Sequence, residues 1–108
     1  MLGLLIAAVV GIAIGAMVAV AVIFLNREKI SQFFEKLKNK HQQELSSQEK
    51  DAIGFTMSKA INDPNTPIVE GIFNKKENKV VGGYKISAQN VSSDIARKHR
   101  NSEVVIYS

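Results

Sequence analysis

The chain has 108 residues, with 14 Lys and Arg against 10 Asp and Glu for a formal charge of +4, two His and no Cys. The lack of Cys excludes disulfides, thiol catalysis and Cys-ligated zinc or iron–sulfur sites. A charge this small does not announce a nucleic-acid surface, and mild attraction to anionic lipid is the more economical reading.

The hydrophobic residues are spread unevenly, because every charged side chain lies at or beyond Arg27. Leu2 to Leu25 contains no charge and no Pro. As one helix it would be roughly 36 Å long, against a bilayer hydrocarbon core of about 30 Å. The pattern predicts an N-terminal transmembrane helix. No Lys or Arg precedes it, and it ends on the bulky Ile23, Phe24 and Leu25 in place of a small-residue cleavage site, so it reads as a retained signal-anchor and not a cleaved leader. Arg27, Lys29, Lys36, Lys38 and Lys40 follow it closely. The positive-inside rule then puts the C-terminal part in the cytoplasm and the N-terminus outside, the topology of a single-pass membrane protein. Gly3, Ala7, Gly11, Gly15 and Ala19 recur at intervals of four, a small-residue stripe suited to close helix packing in lipid. It would serve a membrane-protein partner or self-association; the plain alternative is that transmembrane helices are rich in Gly and Ala.

Ile30, Phe33, Phe34, Leu37, His41 and Leu45 form the apolar edge of an amphipathic juxtamembrane helix. One reading lays Phe33 and Phe34 on the lipid headgroups, with Arg27, Lys29, Lys36, Lys38 and Lys40 reaching phosphates. A second reading is a stalk that packs against a partner helix, and the plainer one is a helix that covers a small domain, with His41 as a half-buried packing residue. Ser46 and Glu49 fit a capping box. A second short helix is expected after it, from Ala52, Ile53, Thr56, Met57, Ala60 and Ile61 at helical spacing, although Gly54 costs such a helix about 1 kcal/mol relative to Ala. The turn-forming run Asn62 to Pro67, with two prolines, ends it.

Beyond Pro67 the composition turns to β. Ile68 to Phe73 and Lys79 to Ile86 read as a hairpin around a polar loop at Asn74 to Asn78, with Gly82-Gly83 marking a bulge or a close backbone approach. Ser92 or Ser93 caps a short helix that turns Val91, Ile95 and His99 inward and ends on Arg97, Lys98 and Arg100. Glu103 to Tyr107 is a closing strand. An exposed edge on this sheet would be a natural acceptor for a partner strand.

The fold class expected is therefore membrane-anchored α+β: an anchor over 1–26, a juxtamembrane helical region over 27–63, and a small three-stranded β unit with one short helix over 64–108. No nucleophile elbow, phosphate loop or metal-ligand spacing occurs, so no catalytic, cofactor-binding or metal site is expected, and the chain does not read as an enzyme. The function that fits is a single-pass membrane protein with a small cytoplasmic interaction domain, acting as an accessory subunit, adaptor or scaffold. Its partners would be the bilayer, a membrane protein or a second copy at the Gly/Ala stripe, and a soluble protein at the C-terminal unit. The alternatives are a self-assembling small membrane protein of the pore or holin kind, and a membrane-surface protein that binds anionic lipid.

Overall fold

The computed structural model describes residues 2–41, 52–59 and 66–107. Helix α1 spans Leu2–Ala13 and runs into a 3-10 turn at Ile14–Ala16. Strand β1 follows at Val18–Leu25, then helix α2 at Arg27–Lys40, strands β2 (Ala52–Met57), β3 (Ile68–Asn74) and β4 (Lys79–Val91), helix α3 (Ser93–Arg100) and strand β5 (Val104–Tyr107). The strands form one mixed sheet in the order β1-β4-β3-β2-β5, parallel at β1/β4 and antiparallel elsewhere.

The largest departure from expectation is the N-terminal apolar run. Among the described residues no helix is long and apolar enough to cross a membrane. This overturns the transmembrane helix, the membrane-anchored α+β class with its small three-stranded unit, and the single-pass localisation with a cytoplasmic C-terminal part. The first helix stops after 12 residues, which at about 1.5 Å per residue is roughly 18 Å, well short of a hydrocarbon core. The cause is local. Val18-Ala19-Val20-Ala21-Val22 alternates large and small residues with period two, the pattern of a strand, and β-branched Val packs better on a pleated surface than in a helix. A partner completes the choice: Val18 through Leu25 pairs with Tyr84 through Val91 of β4.

The second correction is at β2. Ala52, Ile53, Thr56 and Met57 fit a helical face, but Ile53, Phe55 and Met57 also alternate with Ala52, Gly54 and Thr56. The strand reading wins because β2 is held on both sides, by β3 and by β5. Gly54, costly in a helix, here lets the Phe34 ring approach the sheet: an added Cβ would lie 2.9 Å from that ring. The expected capping box at Ser46 and Glu49, and the positions Ala60 and Ile61 of the expected helix, lie outside the described residues.

Two layers of helix cover the sheet. On one face Ile6 and Val10 of α1 pack with Ile53, Phe55, Met57, Val69 and Phe73. On the other, Ile30 and Phe33 of α2 and Ile95 of α3 pack with Leu25, Ile68, Ile86 and Ala88, and Leu37 meets Ile72. Helix α2 begins at an Asn26 cap whose Oδ1 accepts the Lys29 N–H at 2.9 Å, with Glu28 in its first turn and Lys38 and Lys40 in its last, a charge order that suits the helix dipole. The β3–β4 turn is tied by Asn74 Oδ1, which accepts the N–H groups of Lys76 and Glu77, and Asn78 adopts φ 52° to close it. A bulge in β4 falls between the pairs Ile72/Gly82 and Phe73/Val80. The ring of His41, at the end of α2, packs over Gly82, where a side chain would collide with it.

Candidate functional site: a free sheet edge and a buried polar row

Strand β1 occupies one end of the sheet, so among the described residues nothing pairs with its outer side. Its inner side is held by β4, and the pairing is prolonged by the Ser92 N–H donating to the Leu25 carbonyl at 2.9 Å. Val20 and Val22, half-buried, pack against the core on the side of α2 and α3. Ala19, Ala21 and Ile23 alternate to the other face, which α1 leaves open at this end; all three are exposed. Ile23 is 73% exposed, Val18 50% and Phe24 45%. A shallow groove of about 260 Å³ runs along this open face between β1 and β4, lined by Ala21, Val22, Ile23, Ser87, Ala88 and Gln89. Natural sheets protect their edges with Lys, Pro, bulges or short strands. Strand β1 has eight residues and none of these devices. The opposite edge differs: β5 has four residues, and α1 passes beside it, with Val104 Cβ 3.9 Å from where a Cβ on Gly3 would stand.

The second concentration of chemistry is buried in the sheet centre, facing α2 and α3. Cross-strand register sets Tyr84, Glu70 and Thr56 in one row across β4, β3 and β2. Glu70 is fully buried, and neither carboxylate oxygen has a hydrogen-bond partner among the described residues. Burial pushes its pKa from 4.5 up to about 9, so at neutral pH Glu70 is a neutral carboxylic acid. Next to it Thr56 Oγ1 lies 2.7 Å from His99 Nε2 and 3.1 Å from the Tyr107 hydroxyl. His99 Nδ1 faces the Ser102 carbonyl at 3.2 Å. A carbonyl only accepts, so Nδ1 carries the proton. Burial lowers the His99 pKa and keeps the ring neutral, which leaves Nε2 to accept from the Thr56 hydroxyl. Burial likewise raises the Tyr107 pKa. Aromatic rings roof the row: Phe33 stands 5.2 Å from Tyr84 and Phe34 5.7 Å from Tyr107, while Lys98 Nζ lies 5.2 Å over the Tyr107 ring. Thr56 thus bridges a helix and two strands. Thr56→Val is expected to leave His99 Nε2 unsatisfied and to cost about 1–3 kcal/mol in urea unfolding, with Thr56→Ser retaining most of the stability.

Comparison with protein-family models, with curated proteins and with solved structures finds no match.

Gly3, Ala7 and Gly11 lie on α1, Gly15 in the 3-10 turn and Ala19 on β1, so the five fall on three elements. Ala7 packs against the α1-side core, while Gly11 and Gly15 are exposed and face open space. Arg27, Lys29, Lys36, Lys38 and Lys40 are exposed on α2. Phe33 and Phe34 are turned into the sheet, with Lys36 Nζ 5.7 Å above the Phe33 ring. Glu70 was visible in the sequence only as one acidic residue of a β-rich segment. Its place inside Ile68-Val69-Glu70-Gly71-Ile72-Phe73, a run otherwise without charge, was the available sign that a carboxyl would be buried.

Proposed function

We propose that this chain is a protein-interaction module, acting as an adaptor or scaffold and not as an enzyme, and that it works by lending the outer edge of β1 to an extended, uncharged segment of another polypeptide. One observation carries the reading: an eight-residue apolar strand at the end of the sheet, with no protective charge, Pro or bulge, three exposed large side chains and an open groove beside it. Backbone N–H and C=O groups along such an edge supply affinity, and pockets for alternate side chains supply selectivity. The absence of charge on β1 sets the partner's chemistry, since a Lys or Glu laid opposite Ile23 or Val20 would lose its hydration with no counter-charge to meet it. The titratable groups of the polar row support the same reading: Glu70 and His99 are buried and do not line the groove.

The reading is tested with a photoreactive amino acid at Ile23 and, separately, at Lys76 in the exposed β3–β4 turn, each in the full chain in cells. Expected is one adduct species, mapped by mass spectrometry to an apolar strand-like segment, from position 23 and not from 76. No adduct from position 23, or the same adducts from both positions, would remove the proposal.

A further inference from the structure

The edge of β1 also constrains who the partner is. We infer that the partner strand is β1 of a second copy of this chain, paired antiparallel across a two-fold axis that passes through the sheet at Ala21. This rests on the strand-lending reading above and narrows it.

The occupant must be an extended segment without charge, and in this sequence Val18–Leu25 is itself such a segment. Symmetry then fixes the register. A two-fold axis perpendicular to a sheet keeps its faces in common, so residues opposite each other must have the same parity. The axis must therefore lie on a residue. Centring on Ala21 sets Ala21 against Ala21, Val20 against Val22, Ala19 against Ile23 and Val18 against Phe24. Every pair is apolar: Ala19 sets a small side chain against the exposed Ile23, and Val18 meets the exposed Phe24. Centring on Val22 would require Leu25 as a pairing residue, and Leu25 is buried within its own subunit. Centring on Val20 would draw in Ala16 and Met17, which precede the strand. Ala21 alone keeps every pair within Val18–Phe24, clear of the buried Leu25 and of the residues before the strand.

Of the five large hydrophobic residues exposed among the described residues, Val18, Ile23 and Phe24 all lie on β1. In the Ala21 register each is brought against an apolar residue of the second copy. Two seven-residue edges bury less than the roughly 800 Å² per partner of a standard stable interface. The dimer is therefore concentration-dependent, in exchange with monomer, and the same edge is open to heterologous strands when the chain is dilute.

The wild-type sequence has no Cys, so a single introduced Cys reports the register directly. Across an antiparallel pair, Cα atoms at the axis stand about 4.5–5.5 Å apart, inside the range a disulfide spans. Ala21→Cys in the full chain, under mild oxidant, is expected to give a disulfide dimer. Ala19→Cys is not, because its symmetry mate lies four residues further along, roughly 13 Å away. Sedimentation equilibrium of the unmodified chain is expected to show monomer and dimer, and Ile23→Lys, at an exposed position that leaves the fold intact, to weaken the dimer about tenfold or more. A chain that stays monomeric at every concentration overturns the inference, as does equal crosslinking of the two Cys variants. If the adduct from position 23 maps to another protein while this chain is monomeric, the second copy is wrong and the strand-lending reading stands. With no adduct and no dimer, both fall.

Discussion

Urea unfolding at increasing pH is expected to show the protein losing stability steadily between pH 4.5 and 9, by roughly 6 kcal/mol in all, with Glu70→Gln removing most of that slope. Glu70 has a folded-state pKa raised to about 9 from 4.5. Between these values the folded chain holds a proton that the unfolded chain has released. The stability this group contributes is therefore fully present below pH 4.5 and is lost as pH rises towards 9. Each pH unit costs about 1.4 kcal/mol. Small domains have only about 5–15 kcal/mol in total, so alkaline unfolding is the expected outcome. Gln keeps the volume and cannot ionise, so its stability should be nearly level from the ordinary His value of 6.5 up to pH 9. His99 works in the opposite sense: its pKa is lowered, so its contribution is present above the ordinary His value and is lost as pH falls through the folded one. The other groups around the row are Tyr84, Tyr107 and Lys98. Tyr107, whose pKa burial raises, also favours its neutral form. A wild-type curve that is level from pH 5 to 9 would show that Glu70 is hydrated or paired.

The second large effect tests the placement of α1. Ile6 and Phe55 are both fully buried and belong to one cluster. Ile6→Ala is expected to cost about 2–5 kcal/mol and Phe55→Ala about 3–5 kcal/mol in unfolding free energy. Leu4→Ala, on the same helix but 70% exposed, should cost little, within about 0.5 kcal/mol. Because Ile6 and Phe55 belong to one buried cluster, the double variant should depart from additivity by about 0.5–3 kcal/mol. Strict additivity, or equal losses at Leu4 and Ile6, would mean that α1 does not rest on this face of the sheet.

Local chemistry alone was enough for several parts of the fold. The β3–β4 hairpin follows from β-branched runs flanking a polar turn. The inward side of α2, Ile30, Phe33 and Leu37, follows from three- and four-residue spacing, and Ile95 and His99 of α3 likewise. These elements are short-range: period, turn residues and caps agree, and nothing distant overrides them. The run Leu2–Leu25 and the segment Ala52–Met57 were different. Both carry two periods at once. Continuous hydrophobicity suits a spanning helix and a buried strand equally, and Ala52-Ile53-Gly54-Phe55-Thr56-Met57 alternates as well as it winds. Propensity differences of a few tenths of a kcal/mol per residue do not separate such readings.

Long-range pairing separates them. Val18–Leu25 becomes a strand because β4, more than fifty residues away, extends far enough to hold it. Ala52–Met57 becomes one because β3 and β5 flank it. The burial of Glu70 has the same origin. In a lone hairpin its side chain would reach water; here β2 on one side, β4 on the other, and α2 and α3 above close it off. The sheet edge has that origin too: the composition of β1 is written in the chain, but that its outer side stays unpaired among the described residues is a property of the strand order, which no local pattern encodes.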